Sequence, residues 1–211
     1  MPSIELAETW YDPNDPVHGF DHALRVYKMA EILGTELGAD LEILRAAALL
    51  HDASGAAPGV VGSRSSHEEG SAEFARQILL QEGWDEERIA AVQHCIRTHR
   101  FRNKEDPESL EAKILFDADK LDVLGAFGVA RTIGYAVQAE RPIFSQPSDQ
   151  FLAEGTKEPG ELHSAYHEYL FKLRHVKDRL FTQPAKKIAE NRHQLLVQFF
   201  EQLAAEAIGE G

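Results

Sequence analysis

The dipeptide His51-Asp52 ends a strongly apolar segment over residues 43–50. Burying an imidazole and a carboxylate beside leucines costs several kcal/mol unless both groups have polar partners. A bound divalent cation would satisfy both groups. The alternative is a helix that ends at the surface, where Asp52 accepts a hydrogen bond from a loop amide and His51 is half exposed.

Three aspartates lie on another segment that is otherwise apolar, at Asp117, Asp119 and Asp122. On a helix, Asp117 and Asp119 point about 200° away from each other and cannot easily serve one ion together. The pattern indicates that one of them is a ligand without deciding which. His22, on a further apolar segment, is either a ligand or a core histidine with a hydrogen-bond partner.

Other histidine pairs are weaker candidates for a metal site. His94 and His99 are five residues apart, about 140° around a helix, so one ion would not join them. His163 and His167 have the i,i+4 spacing of a helical chelate, yet nothing near them in the sequence completes a site. We therefore expect His163 and His167 to be surface residues.

The elements that carry these side chains are predicted to be helices throughout, because nearly every segment has a helical hydrophobic period and none alternates like a strand. Asp15 and Pro16 form a cap and first-turn pair for a helix that ends near Gly38. Asp40 caps the next helix, residues 41–52, which is apolar nearly all round and therefore central. The Gly-rich residues 53–66 are predicted to be a loop.

The remainder of the chain continues the all-α pattern. One predicted helix passes His94 and His99, and Asp106-Pro107 opens another that holds the three aspartates. Residues 139–160 form the longest irregular stretch and are predicted to be a lid-like loop. Two amphipathic helices follow, at about 161–181 and 184–207. We expect one domain over residues 1–211, with its core at about 15–130.

Charge and composition exclude several classes of function. The 211 residues carry 22 Lys and Arg against 35 Asp and Glu, a net charge of −13, which argues against a nucleic acid polymer as partner. The single cysteine, Cys95, excludes disulfides within the chain and paired-cysteine zinc sites. With no signal peptide or membrane span in the sequence, we expect a cytoplasmic monomer or homodimer with no membrane partner.

Together, His22, His51-Asp52 and Asp119 form an H…HD…D pattern, and the chain resembles the HD-domain superfamily of metal-dependent phosphohydrolases. The local contexts DHALRV at 21–26, LLHD at 49–52 and DADKLD at 117–122 are similar to the family's motifs. A C-terminal stretch, residues 182–200, is similar to a branch of small stand-alone bacterial hydrolases. The resemblance covers residues from about 15 to 207.

The resemblance implies a single-domain helical bundle with a metal site in its core. It implies that His22, His51, Asp52 and Asp119 hold one divalent ion, which selects Asp119 over Asp117. Two imidazoles and two carboxylates suit Mn²⁺, our first choice, and also Fe²⁺, Co²⁺, Ni²⁺ or Zn²⁺, with Mg²⁺ a further possibility. Asp52 is placed to act as the catalytic proton acceptor for the attacking water.

An anionic substrate in an acidic protein requires local cations or hydrogen-bond donors. Lys120, beside Asp119, and Arg25, one turn from His22, are the candidate cations. His94 and His99 match histidines of the related branch and are candidate phosphate donors or proton shuttles. His67, after the Gly-rich loop, is a further candidate substrate-binding residue.

The resulting hypothesis is an enzyme, a metal-dependent phosphohydrolase of a small phosphorylated metabolite, with a nucleotide as the first choice. It either releases pyrophosphate from a (deoxy)nucleoside triphosphate or removes phosphate from a nucleoside monophosphate. The resemblance to the branch of small bacterial hydrolases favours the first reaction. One alternative is a dinuclear iron oxygenase, which requires additional histidine ligands. Another is a nucleotide-binding sensor without turnover, against which the four intact ligands argue.

Overall fold

A computed structural model of the chain describes residues 1–15, 17, 19–53, 67–100 and 105–210, without the side chain of His67. Every regular element within these ranges is helical, which confirms the predicted all-α fold. The chain divides into two compact units. Unit 1 comprises Met1–Asp122 and Leu180–Ala185, and unit 2 comprises Val123–Arg179 and Lys186–Gly211. One domain over residues 1–211 stays a prediction.

Unit 1 holds the first six α-helices: α1 (Ile4–Glu8), α2 (Phe20–Leu37), α3 (Leu41–Leu50), α4 (His67–Gln81), α5 (Glu86–Thr98) and α6 (Leu110–Asp122). Unit 2 holds α7 (Gly125–Gln138), α8 (Asp149–Glu154), α9 (Ala165–Phe171), a 3-10 helix (Leu173–Arg179) and most of α10 (Gln183–Ala207).

Helix α3 is the centre of unit 1, as predicted. It packs against α2, α4, α5 and α6. The Asp40 side chain caps its first turn by accepting hydrogen bonds from the amides of Glu42 and Ile43. All of its residues from Ala46 to Leu50 are fully buried. Because other helices enclose α3, its C-terminal His51 lies inside the core and not at the surface.

The predicted start of α2 is wrong. The helix begins at Phe20, after Gly19, and not at Asp15. Asp15 instead accepts a hydrogen bond from the amide of Val17 at 2.8 Å, a local turn that competes with helix capping. Pro16 lies outside the described residues. The predicted end is confirmed, since Gly38 closes α2 with a φ of 72°, a conformation that glycine adopts without strain.

Two expectations for unit 2 are also corrected. The stretch 139–160 contains a short helix, α8, which Ser148 caps and Gly155 ends. The predicted helix over 161–181 begins only at Ala165 and gives way to the 3-10 helix. The reason lies in Glu161, whose carboxylate accepts hydrogen bonds from the amides of Ser148 and Glu158 and so builds a loop there. The final helix, α10, is close to its predicted range.

Over the described residues, no helix combines the length and the apolar character that crossing a bilayer requires.

Candidate metal centre

Three helices of unit 1 bring the predicted ligands together. His22 on α2, His51 at the end of α3 and Asp119 on α6 each offer a ligand atom, and these atoms lie within 4.8 Å of one another. The two histidine Nε2 atoms are 3.3 Å apart, and His22 Nε2 is 3.4 Å from Asp119 Oδ1. Asp52 Oδ2 lies 3.6 Å from His51 Nε2 and 3.9 Å from His22 Nε2. We call these four residues the unit 1 cluster.

Hydrogen bonds assign the tautomers of both histidines. His51 Nδ1 lies 2.8 Å from the carbonyl oxygen of Ala48, which can only accept, so Nδ1 carries the proton and Nε2 a lone pair. His22 Nδ1 lies 2.7 Å from Asp122 Oδ2, which assigns the same tautomer. Burial lowers the pKa of His51 to about 4. Both Nε2 atoms face each other, and that of His51 carries a lone pair at neutral pH.

This donor set fits a divalent cation. Ligand atoms that each lie about 2.1 Å from one ion are themselves roughly 3.0 to 3.4 Å apart, the range of the two shortest distances between cluster residues. Two neutral imidazoles with carboxylate oxygens suit an ion of intermediate softness, from Mn²⁺ to Zn²⁺.

Asp119 is held ionised by its neighbours. Its Oδ2 accepts a hydrogen bond of 2.5 Å from Lys120 Nζ, while its Oδ1 faces His22. Although burial opposes ionisation, the Lys120 ammonium and His22 hold the pKa of Asp119 well below its usual range. Lys120, predicted to bind substrate, thus also neutralises a cluster carboxylate.

Arg25 contacts carboxylates beside the cluster. Its Nε donates to Asp122 Oδ1 at 2.7 Å and its Nη2 to Asp122 Oδ2 at 3.1 Å. Its Nη1 donates to Asp21 at 2.6 Å. The expected contact between Arg25 and substrate stays a prediction, but the guanidinium is oriented by these two aspartates.

The predicted substrate-binding histidines have different surroundings. His99 lies at the site: its Nε2 is 3.6 Å from Asp52 Oδ1, and its ring centroid is 5.3 Å from that of His51. The ring nitrogens of His94 instead contact Glu105 Oε1, at 2.7 Å, and the amide of Glu108, at 3.1 Å. A phosphate-binding role for His94 therefore requires that it release these two partners. The side chain of His67 lies outside the described residues.

Asp117 performs a separate structural task. Its carboxylate accepts hydrogen bonds from the amides of Phe181 and Thr182 and from the Thr182 hydroxyl, at 2.6 to 2.8 Å. These donors lie just before α10, so Asp117 joins α6 to the segment at residues 181 and 182. The structure thus brings Asp119, and not Asp117, into the unit 1 cluster.

Sequence reasoning missed two residues that support the site. The Tyr11 hydroxyl donates to the carbonyl of Leu49 at 2.9 Å, just before the His51-Asp52 pair. Burial and the nearby charge of Asp52 raise the pKa of Tyr11 well above its usual range. Tyr11 precedes the first predicted helix, and nothing in its sequence context indicated this contact. Asp122 was noted in the aspartate group but given no role.

Unit 2 contains its own buried histidine, and the expectation of a surface position for His167 is wrong. His167 is fully buried, with Nδ1 2.7 Å from Ser164 Oγ and Nε2 2.9 Å from Glu161 Oε1. Phe151 covers its ring at a centroid distance of 4.5 Å. We call Glu161, Ser164 and His167 the Glu161 network. Over the described part of the chain, only unit 1 holds three or more convergent metal-ligand atoms.

Comparisons with known proteins identify relatives of this chain. A family model described as "HD domain" matches residues 19–124. The Bacillus subtilis protein YpgQ is 32% identical over 197 residues, which cover 91% of this chain and 85% of YpgQ. A crystal structure of YpgQ in complex with ADP has a TM-score of 0.71 at 26% identity, covering 98% of this chain and 99% of that one. A Bacillus thuringiensis protein described as an HD-superfamily hydrolase has a TM-score of 0.69 at 30% identity, covering 98% and 95%.

Proposed function

Because the chain belongs to the HD domain family, we propose that it is a divalent-metal-dependent phosphohydrolase that converts a (deoxy)nucleoside triphosphate to its monophosphate and pyrophosphate. The observation that carries the proposal is the unit 1 cluster, in which two buried imidazoles turn their Nε2 atoms toward each other beside two carboxylates. His22, His51, Asp52 and Asp119 would hold the ion.

Formal charges around the cluster suit an anionic substrate once a cation is present. Three carboxylates, Asp52, Asp119 and Asp122, lie within 4 Å of His22. Two cations, Arg25 and Lys120, pair with two of these carboxylates. Over these five side chains the formal balance is one negative charge, which a divalent ion would reverse to one positive charge. A bound ion supplies Lewis-acid polarisation of a phosphoryl group and acidification of water.

Asp52 is the proposed proton acceptor. Its Oδ2 faces the two histidines, and its Oδ1 faces His99 Nε2 at 3.6 Å. His99 Nδ1 lies 2.5 Å from the carbonyl oxygen of Ile96, so Nε2 of the neutral ring is an acceptor. A proton that Asp52 removes from the attacking water can therefore pass to His99. In this role His99 is the proton relay of the site.

The nucleotide class is supported by a relative. The YpgQ structure was determined in complex with ADP, and that protein aligns with nearly all of this chain. Lys120 provides positive charge next to Asp119, where a phosphate oxygen would approach. We retain Mn²⁺ as the first ion to test because the mixed nitrogen and oxygen donor set is compatible with it.

Chromatographic product analysis tests the proposal. Purified protein with Mn²⁺ is incubated with a mixed panel of nucleoside mono-, di- and triphosphates. We expect monophosphate and pyrophosphate from triphosphates. Nucleoside and phosphate from monophosphates would replace the proposed reaction by a nucleotidase reaction, and no turnover of any nucleotide would overturn the proposal.

Variants connect the activity with the cluster. His51→Ala and Asp52→Ala should both abolish turnover, because each removes a proposed ligand. Matched controls are His175→Ala and Asp178→Ala in unit 2, both exposed in the structure. We expect these controls to retain wild-type activity; equal losses in controls and cluster variants would contradict the assignment.

A further inference from the structure

We propose that Asp122 is a positioning residue that fixes His22 with its Nε2 unprotonated and directed at the unit 1 cluster, and that Arg25 holds Asp122 in place. This inference rests on the metal site of the proposed function. It assigns tasks to two residues that neither the ligand motif nor the comparisons identify.

The contacts form a continuous chain between α2 and α6. Asp122 Oδ2 lies 2.7 Å from His22 Nδ1, and both side chains are buried. Arg25 donates to both oxygens of Asp122, at 2.7 and 3.1 Å, so the carboxylate cannot rotate without losing one of these bonds. Asp21, mostly exposed, accepts from the far side of the same guanidinium. Asp122 is therefore oriented before any ion binds.

The two histidines of the cluster are supported in different ways. His51 donates to the carbonyl of Ala48, three residues earlier on its own helix. The equivalent carbonyl for His22 is that of Gly19, which already accepts from the backbone amides of His22 and Ala23. His22 obtains its acceptor from another helix. Asp122 supplies that acceptor from a position 100 residues later in the chain.

A carboxylate acceptor also affects the ligand strength of the imidazole. An acceptor on the outer nitrogen fixes the tautomer and raises the basicity of the inner nitrogen, and loss of such a partner weakens metal affinity by roughly 10- to 100-fold. A backbone carbonyl fixes the tautomer of His51 without a full negative charge. Substitutions at Asp122 should therefore change the metal affinity through His22.

Metal titration is the first test. We would measure the Mn²⁺ dissociation constants of wild type, Asp122→Ala, Asp122→Asn and Arg25→Met by calorimetry, with no nucleotide present. We expect Asp122→Ala to weaken binding by roughly 10- to 100-fold. Asp122→Asn should recover part of this loss, because its amide oxygen can still accept from His22, and Arg25→Met should show an intermediate loss.

Asp21→Asn is the matched control, since Asp21 contacts Arg25 but lies on the solvent side of it. It should bind Mn²⁺ nearly as wild type does. Wild-type affinity in both Asp122 variants would overturn the inference, as would an affinity of Asp122→Asn no better than that of Asp122→Ala.

The second test reads the tautomer directly in the metal-free protein. Nitrogen NMR of the imidazole rings should show His22 and His51 with the proton on Nδ1 in wild type. In Asp122→Ala, His22 should redistribute toward the Nε2-protonated form while His51 remains unchanged. A purely structural role for Asp122 would lower stability without this selective change.

The two tests separate this inference from the proposed function. If wild type bound no divalent ion, the proposed function would fail, whereas an unchanged His22 tautomer in Asp122→Ala would overturn this inference alone.

Discussion

Unit 1 and unit 2 each bury histidine against carboxylate, but the two arrangements differ in where the ring nitrogens point. In the Glu161 network, both nitrogens of His167 have protein partners, Ser164 Oγ and Glu161 Oε1. In the unit 1 cluster, Nδ1 of each histidine contacts a group outside the cluster, and the Nε2 atoms face each other at 3.3 Å. Burial of histidine with acid is therefore not itself the sign of a metal site; convergence of several ligand atoms from different helices is.

The largest difference between the two regions should be in metal affinity. His51→Ala removes a proposed ligand and should weaken Mn²⁺ binding by more than the roughly 100-fold typical of outer partners. His167→Ala should leave the Mn²⁺ dissociation constant unchanged, because its nitrogens are both engaged within unit 2. Calorimetric titration of the two variants makes the comparison. Equal losses would show that the distinction between the regions is wrong.

A smaller effect is expected on the stabilisation that the ion provides. Mn²⁺ at about 100 times its dissociation constant should raise the free energy of unfolding by about 2.7 kcal/mol, provided that it binds only the folded state. The increment should persist in His167→Ala and vanish in His51→Ala. Urea unfolding with Mn²⁺ or with excess EDTA measures it. An increment that survives in His51→Ala would place the ion elsewhere.

The Glu161 network should instead contribute to stability without any ion. Replacing the buried His167 by Ala removes two hydrogen bonds and leaves a cavity, so the free energy of unfolding should fall by about 2 to 3 kcal/mol. The same urea experiment in EDTA detects this loss. An exposed-site control, His175→Ala, should lose far less; a similar loss in the control would remove the assignment of a structural role.

The smallest effect is a pH dependence in unit 2. Although burial opposes it, hydrogen bonds from Ser148, His167 and Glu158 lower the pKa of Glu161 from 4.5 to about 2. Because the folded-state pKa is below the unfolded one, the ionised carboxylate stabilises the fold above pH 4.5, and this contribution is lost as the pH falls from 4.5 toward 2. Glu161→Gln should be less stable than wild type at pH 7.

The stability gap between wild type and Glu161→Gln should narrow as the pH decreases through this window. Urea midpoints at several pH values between 7 and 3 measure the gap. Exposed Glu158→Gln, whose side chain makes none of these contacts, serves as the control. A gap that stays constant or widens at low pH would contradict the lowered pKa.

The cluster itself was accessible from the sequence because its members lie in recognisable local contexts. The apolar run before His51 predicted a buried helix, and that burial is what made the His51-Asp52 pair notable. The choice between Asp117 and Asp119 could not be made from helical spacing, since it depends on Phe181 and Thr182, more than sixty residues away. Only the resemblance to HD proteins indicated Asp119.

What the sequence could not provide are the partners of each side chain across the fold. The pairing of His22 with Asp122 joins two helices through tertiary packing, and no local pattern encodes it. His167 was misjudged because no residue near it in the sequence completes a metal site, whereas Glu161 and Phe151 enclose the ring. Asp15 was misjudged because its side chain makes a turn bond that resembles a helix cap in sequence.

The three hydrogen bonds that Asp117 accepts have a consequence for synthesis on the ribosome. The three donors belong to residues 181 and 182, yet unit 1 is otherwise built from residues up to 122. A nascent chain must therefore add nearly sixty further residues before this bond set can close, and the loop-closure entropy grows only slowly with that length. The segment that contributes His22, His51 and Asp119 is thus translated well before the residues that donate these three hydrogen bonds.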